Sequence, residues 1–390
     1  MTTSTSTRLG KTGRVLGIGG IAALLMASAA CGGSDGASSD GASGGAGKTT
    51  AAQVKEAAGL AEKAQTAPTQ INSTVPLAKA PEAGTKAVYL LDPNPANTLI
   101  GKSFQEAVES AGWDAEQIPY NVADPATVQA ALKTALSKGA KFVGEAGLPA
   151  DVFGDSVIKS YTDADAKIVI GSIFPKANTE TINTDAGGGE ARYETGKALA
   201  SWFVSDSDGK GKAIVQNLSA YPILAEFVRG FTDEVDRLCP GCSVEVAKFT
   251  PSDLAGGKIN PALVSKLRAD RSVGYLFFDN SGFATGIDSA LKAAGLTKVK
   301  VGGSGIDSNA VASIKKGTQH AWIGTSWFYQ GYAMADAAFR LQTGTQEGSE
   351  QNGDQPFQLF TKDNIDQLDG EYDAPKDALA QFQKLWNVTG

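Results

Sequence analysis

From Lys86 onward the chain alternates short apolar runs with longer stretches whose apolar residues recur at helical spacing. Ala87-Val88-Tyr89-Leu90-Leu91 is a continuous apolar run of strand length. The stretch after it places Ile100, Phe104, Ala107, Val108 and Ala111 on one helix face. Asp124 followed by Pro125 opens the next helix: Asp accepts from the free N–H groups of a first turn, and Pro brings no N–H to satisfy. Val128, Ala131, Leu132, Ala135 and Leu136 form its stripe. Lys141-Phe142-Val143 begins another strand, Val152, Phe153, Val157 and Tyr161 mark another helix, and Lys167-Ile168-Val169-Ile170 is a further strand.

The pattern then restarts. Lys212-Ala213-Ile214-Val215 is a strand, and Ile223, Leu224, Phe227, Val228, Phe231, Val235 and Leu238 line one helix face. Strands follow at Val244-Glu245-Val246-Ala247, at Val273-Gly274-Tyr275-Leu276-Phe277-Phe278 and at Val299-Lys300-Val301, with helices near 263–267 and 283–294. The fold class expected is α/β: two Rossmann-like lobes, each a parallel sheet with helices on both faces. Such sheets bind ligands at the carboxyl ends of their strands, and two of them enclose a cleft. Residues 51–64 read as a helix outside the first lobe. Residues 375–388 read as a terminal helix with Leu379, Phe382 and Trp386 inward.

The first 31 residues have another logic. Arg8, Lys11 and Arg14 precede a short apolar run, and Ala27-Ser28-Ala29-Ala30 leads into Cys31. This is the layout of an export signal, and a cysteine at the cut resembles a bacterial lipoprotein signal, in which the thiol is acylated. The other reading is ordinary secretion with an incidental Cys31. Residues 31–50 are rich in Gly, Ser and Ala and make a flexible tether. Either way the protein works outside the cytoplasm. With the lipid it is held on the outer face of the cell membrane, which is periplasmic in a Gram-negative cell.

A chain of 390 residues is comfortable for two domains. Its net charge is −7 even with the basic head of the signal included, which argues against nucleic acid and against adhesion to anionic lipid. Besides Cys31 there are Cys239 and Cys242, in Cys239-Pro240-Gly241-Cys242. In the cytosol that spacing suggests a redox or metal site; outside it, a structural disulfide pinning a helix end to the next strand. His320 is the only histidine, too few for a zinc site, and it sits in a strand-like run. There is no P-loop, no dinucleotide fingerprint and no nucleophile–base pair. No enzyme, metal or cofactor is expected.

The order of motifs resembles the type I periplasmic sugar-binding family, the solute receptors of ABC transporters, over about residues 86–368. The resemblance rests on Asp92-Pro93-Asn94-Pro95 before a helix, Arg229-Gly230-Phe231, Phe278-Asp279-Asn280 with Ala284-Thr285-Gly286, and Gly305-Ile306-Asp307 with Ile314-Lys315-Lys316-Gly317. Gly331-Tyr332 through Asp336 and Thr361-Lys362-Asp363-Asn364-Ile365 complete it. It implies one small-molecule solute bound between the lobes, hinge closure, a monomer, and delivery to an ABC permease and its ATPase. It also implies a three-segment hinge, with crossings near Asn183, Ser326 and Glu350. Lobe 1 is then 86–183 plus 327–350 and lobe 2 is 184–326 plus 351–370, with an N-terminal extension over 51–85 and a C-terminal helix over 371–390.

Loops after strands supply the ligand-binding candidates. Asn94 and Asn97 offer amides to hydroxyls, or simply build the turn between prolines. Glu145 is a buried acceptor or a solvated loop acid; Phe174 is a stacking face or core packing. Tyr221 opens the first helix of lobe 2. Asp279 ends a strand, Asp307 binds solute or caps a helix, and Trp327 lies near a crossing. Phe227 stands where sugar binders of the family carry arginine, with Arg229 two residues on. Asp279-Asn280 inverts the usual order, and Gly302-Gly303-Ser304-Gly305 precedes the Asp loop. These departures leave polyols, nucleosides, aromatics and other polar solutes open beside sugars. They also leave open a receptor that presents its solute to a membrane sensor.

Overall fold

A computed structural model describes residues 47–122 and 124–388. The export signal, Cys31 and the tether as far as residue 46 lie outside the described residues. Helix α1 (Ala51–Gln65) opens on a capping box between Thr50 and Gln53. Lobe 1 follows as β1 (Lys86–Leu91), α2 (Pro95–Ser110), β2 (Asp114–Pro119), α3 (Pro125–Ser137), β3 (Phe142–Ala146), α4 (Asp155–Asp163), β4 (Lys167–Gly171) and β5 (Ile182–Asn183). Its sheet runs β2-β1-β3-β4-β5, and every pairing is parallel. Alternate residues take opposite faces: Tyr89 and Phe142 pack with the α2 side, while Val88, Leu90 and Val143 pack with the α3 and α4 side.

Lobe 2 contains α5 (Gly189–Asp206), β6 (Lys212–Leu218), α6 (Pro222–Leu238), β7 (Ser243–Phe249), α7 (Pro251–Ala255), α8 (Ile259–Ala269), β8 (Tyr275–Phe278), α9 (Ile287–Ala293), β9 (Lys300–Ser304), α10 (Ser308–Lys316) and β10 (Ala321–Thr325). The chain then forms α11 (Trp327–Thr343), β11 (Phe357–Thr361) and α12 (Ala378–Leu385). The second sheet is ordered β11-β10-β9-β8-β6-β7. It departs from the expected all-parallel arrangement at one edge, where β11 runs antiparallel to β10.

Strand β2, strand β11 and helix α5 are among the elements without a clear sequence signal. Strand β2 is an edge strand with mostly half-exposed residues, so it lacks an apolar run. Strand β11 pairs on one side alone. Helix α5 carries no clean stripe because its contact with α6 is made through backbone: a Cβ on Gly196 would collide with the Phe227 carbonyl, and one on Gly230 with the Tyr193 carbonyl. Two glycines thus let the helices cross closely.

Helix α1 corrects an expectation. It packs on lobe 2, not lobe 1: Ala57 and Ala61 share a core with Phe203 and Leu238, and Glu56 pairs with Arg237 at 2.6 Å. The Cys239–Cys242 disulfide is formed, with an S–S distance of 2.00 Å, and joins the end of α6 to the start of β7. Thr49 Oγ1 accepts from the Gly241 N–H at 3.0 Å, so the disulfide turn also seats the root of α1.

The chain passes between the lobes after β5, between β10 and α11, and between α11 and β11. Two further passages were not foreseen. Beyond α1, Ile71 and Leu77 join the lobe 1 core. Near the C-terminus Tyr372 and Ala374 belong to the lobe 2 core, whereas Phe382 and Trp386 belong to that of lobe 1. The segment expected as one helix over 371–390 is therefore a strap followed by the short α12. A buried network on α11 fastens both straps. Arg340 pairs with Asp336 at 2.5 Å and donates to the Val75 carbonyl at 2.6 Å, and Trp386 Nε1 donates to Asp336 at 2.7 Å.

Candidate functional site

Parallel strands bring their carboxyl ends to one edge, so the loops after β1, β3 and β4 gather on lobe 1 and those after β6, β8, β9 and β10 on lobe 2. Asn94 is exposed and caps α2: its Oδ1 accepts from the Asn97 N–H at 2.9 Å, and its Nδ2 donates to Asp92 at 2.6 Å. Asn97 is buried and donates to the Ala146 carbonyl at 3.0 Å, which ties α2 to the end of β3. Its Oδ1 has no partner, and neither has the buried hydroxyl of Tyr89. Both are unspent polar atoms beside the first strand and the helix that follows it.

Glu145 is fully buried. Tyr120 donates to its Oε1 at 2.9 Å and the Leu148 N–H to its Oε2 at 3.1 Å. Burial outweighs these bonds and pushes its pKa up to about 8. At neutral pH it is therefore mostly a protonated acid. Phe174 is half-buried and lies against the first residue of α5, where a Cβ on Gly189 would strike its ring. It is placed at the first passage between the lobes.

On lobe 2, Tyr221 is the N-cap residue of α6 with 46% of its surface exposed. Asp279 is fully buried and saturated by its own chain. Its Oδ2 accepts from the Leu218 N–H at 2.7 Å and from Asn217 at 3.2 Å, and its Oδ1 from the Gln216 amide at 2.8 Å in the orientation that satisfies both groups. Burial raises its pKa to about 7 against those donors. Asp307 caps α10 through the Ala310 N–H at 2.8 Å and accepts from Ser281 at 3.0 Å.

The residue that sequence reasoning missed is Arg192, in the first turn of α5. It is partly exposed, and its Nη1 donates to the buried Ser304 Oγ at 3.0 Å. Its Cζ lies 5.7 Å from the ring centroid of Trp327, the half-buried first residue of α11. Burial lowers its pKa, and the field of Asp279 opposes that shift. A signal existed: a cation in a helix's first turn faces the positive end of the dipole. The run Gly302-Gly303-Ser304 is explained by the same corner. A Cβ on Gly302 would meet the Ala321 carbonyl and one on Gly303 the Phe278 carbonyl, so β9 lies tightly between its neighbours and delivers Ser304 to Arg192.

The structure thus groups Arg192, Ser304, Asp279 and Trp327 on lobe 2 and its passage to α11. It groups Asn97, Tyr89, Glu145 and Tyr120 on lobe 1. Asn94, Asp307 and Tyr221 lie at helix starts. A cavity of about 520 Å³ between α1, α5 and α6 lies away from these strand ends, with Lys63, Glu194 and Arg237 in its wall.

Residues 91–346 match the periplasmic binding protein domain family. The chain belongs to that family. Solved structures share its fold. One is GanP, a glucose-galactose binding protein from Geobacillus stearothermophilus, with 19% identity, a TM-score of 0.57, and 73% of this chain and 99% of that one covered. A periplasmic ribose ABC transporter protein from Conexibacter woesei has 18% identity and a TM-score of 0.59, with 74% and 95% covered. A LacI-type transcriptional regulator from Bacteroides fragilis also aligns, with 13% identity, a TM-score of 0.56, and 74% and 100% covered. Among curated proteins none matches the chain by sequence. Membership of the periplasmic binding protein family and the two-lobed α/β fold are thereby established.

Proposed function

We propose that this chain is an extracytoplasmic solute-binding lipoprotein, exported by its leading segment and acylated at Cys31. It captures one small polar, sugar-like solute between its lobes and delivers it, as a monomer, to the permease and ATPase of an ABC importer. Family membership and the basic-apolar-small leader before Cys31 both support this reading. A regulator that binds DNA has no use for such a leader.

The observation that carries the reading is the Arg192 corner. A guanidinium with donors to spare is held between Ser304 and an indole ring where the lobes join. Unspent polar atoms of Asn97 and Tyr89 stand at the first strand of lobe 1. A few convergent polar groups beside an aromatic face are what a small polar ring or polyol needs. In this reading Asn97, Tyr89, Arg192 and Trp327 touch solute, Asp279 and Glu145 position their neighbours, Asn94 and Asp307 shape the loops, Phe174 serves the hinge and Tyr221 the rim.

The test is thermal melting of the full chain against sugars, sugar acids, polyols, nucleosides, aromatics and amino acids. A true solute at about 100 times its Kd adds about 2.7 kcal/mol of stability and raises the Tm visibly. No shift with any member of the panel counts against solute capture.

A further inference from the structure

We infer, on the basis of the solute-capture reading, that the solute carries a carboxylate or an equivalent compact anion, and that Arg192 is the group that reads it. The sugar-like solute is then a polyhydroxy acid and not a neutral sugar.

The argument starts from the charge. Among the described residues no carboxylate lies within ion-pair distance of Arg192, although most of the other arginines in the two lobes pair at close range. Its one hydrogen-bond acceptor among the described residues is the neutral Ser304 hydroxyl. A guanidinium has five donors in a planar fork, so most of them are unspent. Asp279 is near enough to be felt, but its oxygens are already occupied by Leu218, Asn217 and Gln216. A cation set into a protein without a partner is costly, and the cost is relieved when an anion arrives. The fork matches a carboxylate with two parallel bonds.

The rest of the corner suits the remainder of such a molecule. Trp327 lies on one side of the guanidinium and offers an apolar face to C–H groups of a ring or chain. On lobe 1, Asn97 Oδ1 is a free acceptor and the Tyr89 hydroxyl a free donor, which is the pair that hydroxyl groups require. Glu145, the buried acid nearby, is kept mostly protonated by its surroundings and so presents little negative charge to repel an anion.

The experiment is calorimetric titration of the full chain with D-galacturonate and D-gluconate, each beside its neutral counterpart, D-galactose and D-glucitol. The expected result is that an acid binds at least about 100-fold tighter than its neutral partner, with affinity that falls as salt is raised. Arg192→Gln should lose about that factor for the acid while its unliganded Tm stays close to the parent's. Arg192→Lys, which keeps the charge and loses the fork, should fall between them. Neutral sugars that bind as tightly as acids would overturn this inference and leave solute capture standing. An acid whose affinity is unchanged in Arg192→Gln would overturn it too. Silence from these four compounds together with a hit on an uncharged member of the wider panel would do the same, and silence from every compound would remove the underlying reading as well.

Discussion

Gln330 Nε2 donates to the carbonyl of Ala186 at 2.8 Å. Gln330 stands at the start of α11, just after the second passage between the lobes, and Ala186 lies on the first. The other end of the same amide accepts from Ser172 at 3.3 Å and from Gln355, which lies on the third passage. One buried side chain therefore ties together the passages after β5, before α11 and before β11. The closure that the proposed solute capture calls for would turn about this point, because a fixed pivot makes a motion a rotation rather than a slide.

Gln330→Ala should destabilise the chain by about 1–3 kcal/mol, because the Ala186 carbonyl and the Gln355 amide lose a partner in a buried place. The loss appears as a lower urea midpoint. A midpoint equal to the parent's would show that the three segments hold together without it.

Trp386→Ala should be among the most damaging single changes. Its ring is fully buried, stacks on Phe382 with centroids 5.4 Å apart and meets Phe339 edge-on at 4.9 Å. Its indole N–H also serves Asp336. Removing a large buried aromatic costs about 3–5 kcal/mol, and here a buried carboxylate loses a donor too. Differential scanning calorimetry measures the loss. A small shift in Tm would mean that α12 contributes little to lobe 1.

Stability should depend on pH through Glu145. Its ordinary pKa is 4.5, and in the folded protein burial holds it at about 8. Between those values the folded state binds the proton and the unfolded chain has released it, so stability falls as pH rises. The contribution is whole below the unfolded value and is gone above the folded one. Asp279, raised to about 7, acts in the same direction. Glu145→Gln removes one of the two slopes, so urea midpoints of parent and variant should diverge from pH 4.5 to 8 in the variant's favour. Parallel curves would refute the assignment.

Asp279→Ala tests whether this residue is a strut or a solute contact. Its removal leaves the Leu218 N–H and the amides of Asn217 and Gln216 without their acceptor in a fully buried spot. The expected cost is about 3 kcal/mol or more in the unliganded protein. A variant that melts like the parent but binds solute weakly would show that Asp279 acts on solute alone.

How far the sequence reaches is clear from particular elements. The apolar runs of β1, β4, β6 and β8 and the stripe of α6 are set by local periodicity, because a buried strand or helix face needs apolar residues wherever it packs. The Asp124-Pro125 start of α3 and the Cys239–Cys242 bridge are equally local, the first a cap and the second a four-residue loop. From these alone the two-lobed α/β plan follows, and the order of motifs leads to the periplasmic binding family.

What only the tertiary structure decided depends on residues distant in sequence. Helix α1 carries a small apolar face, and its seat on lobe 2 is made by Phe203, Leu238 and the Glu56–Arg237 pair, all distant in sequence. The straps through Ile71 and Tyr372 have no periodicity to betray them. Asp279 looked free as a strand-end carboxylate, and its saturation by Leu218, Asn217 and Gln216 is visible only with the sheet assembled. Arg192 is not singled out by the sequence reading. Ser304, Asp279 and Trp327, each from another element, converge on it only in the assembled fold. Secondary structure is specified by neighbours along the chain, whereas a binding corner is specified by burial and unmet hydrogen bonds across it.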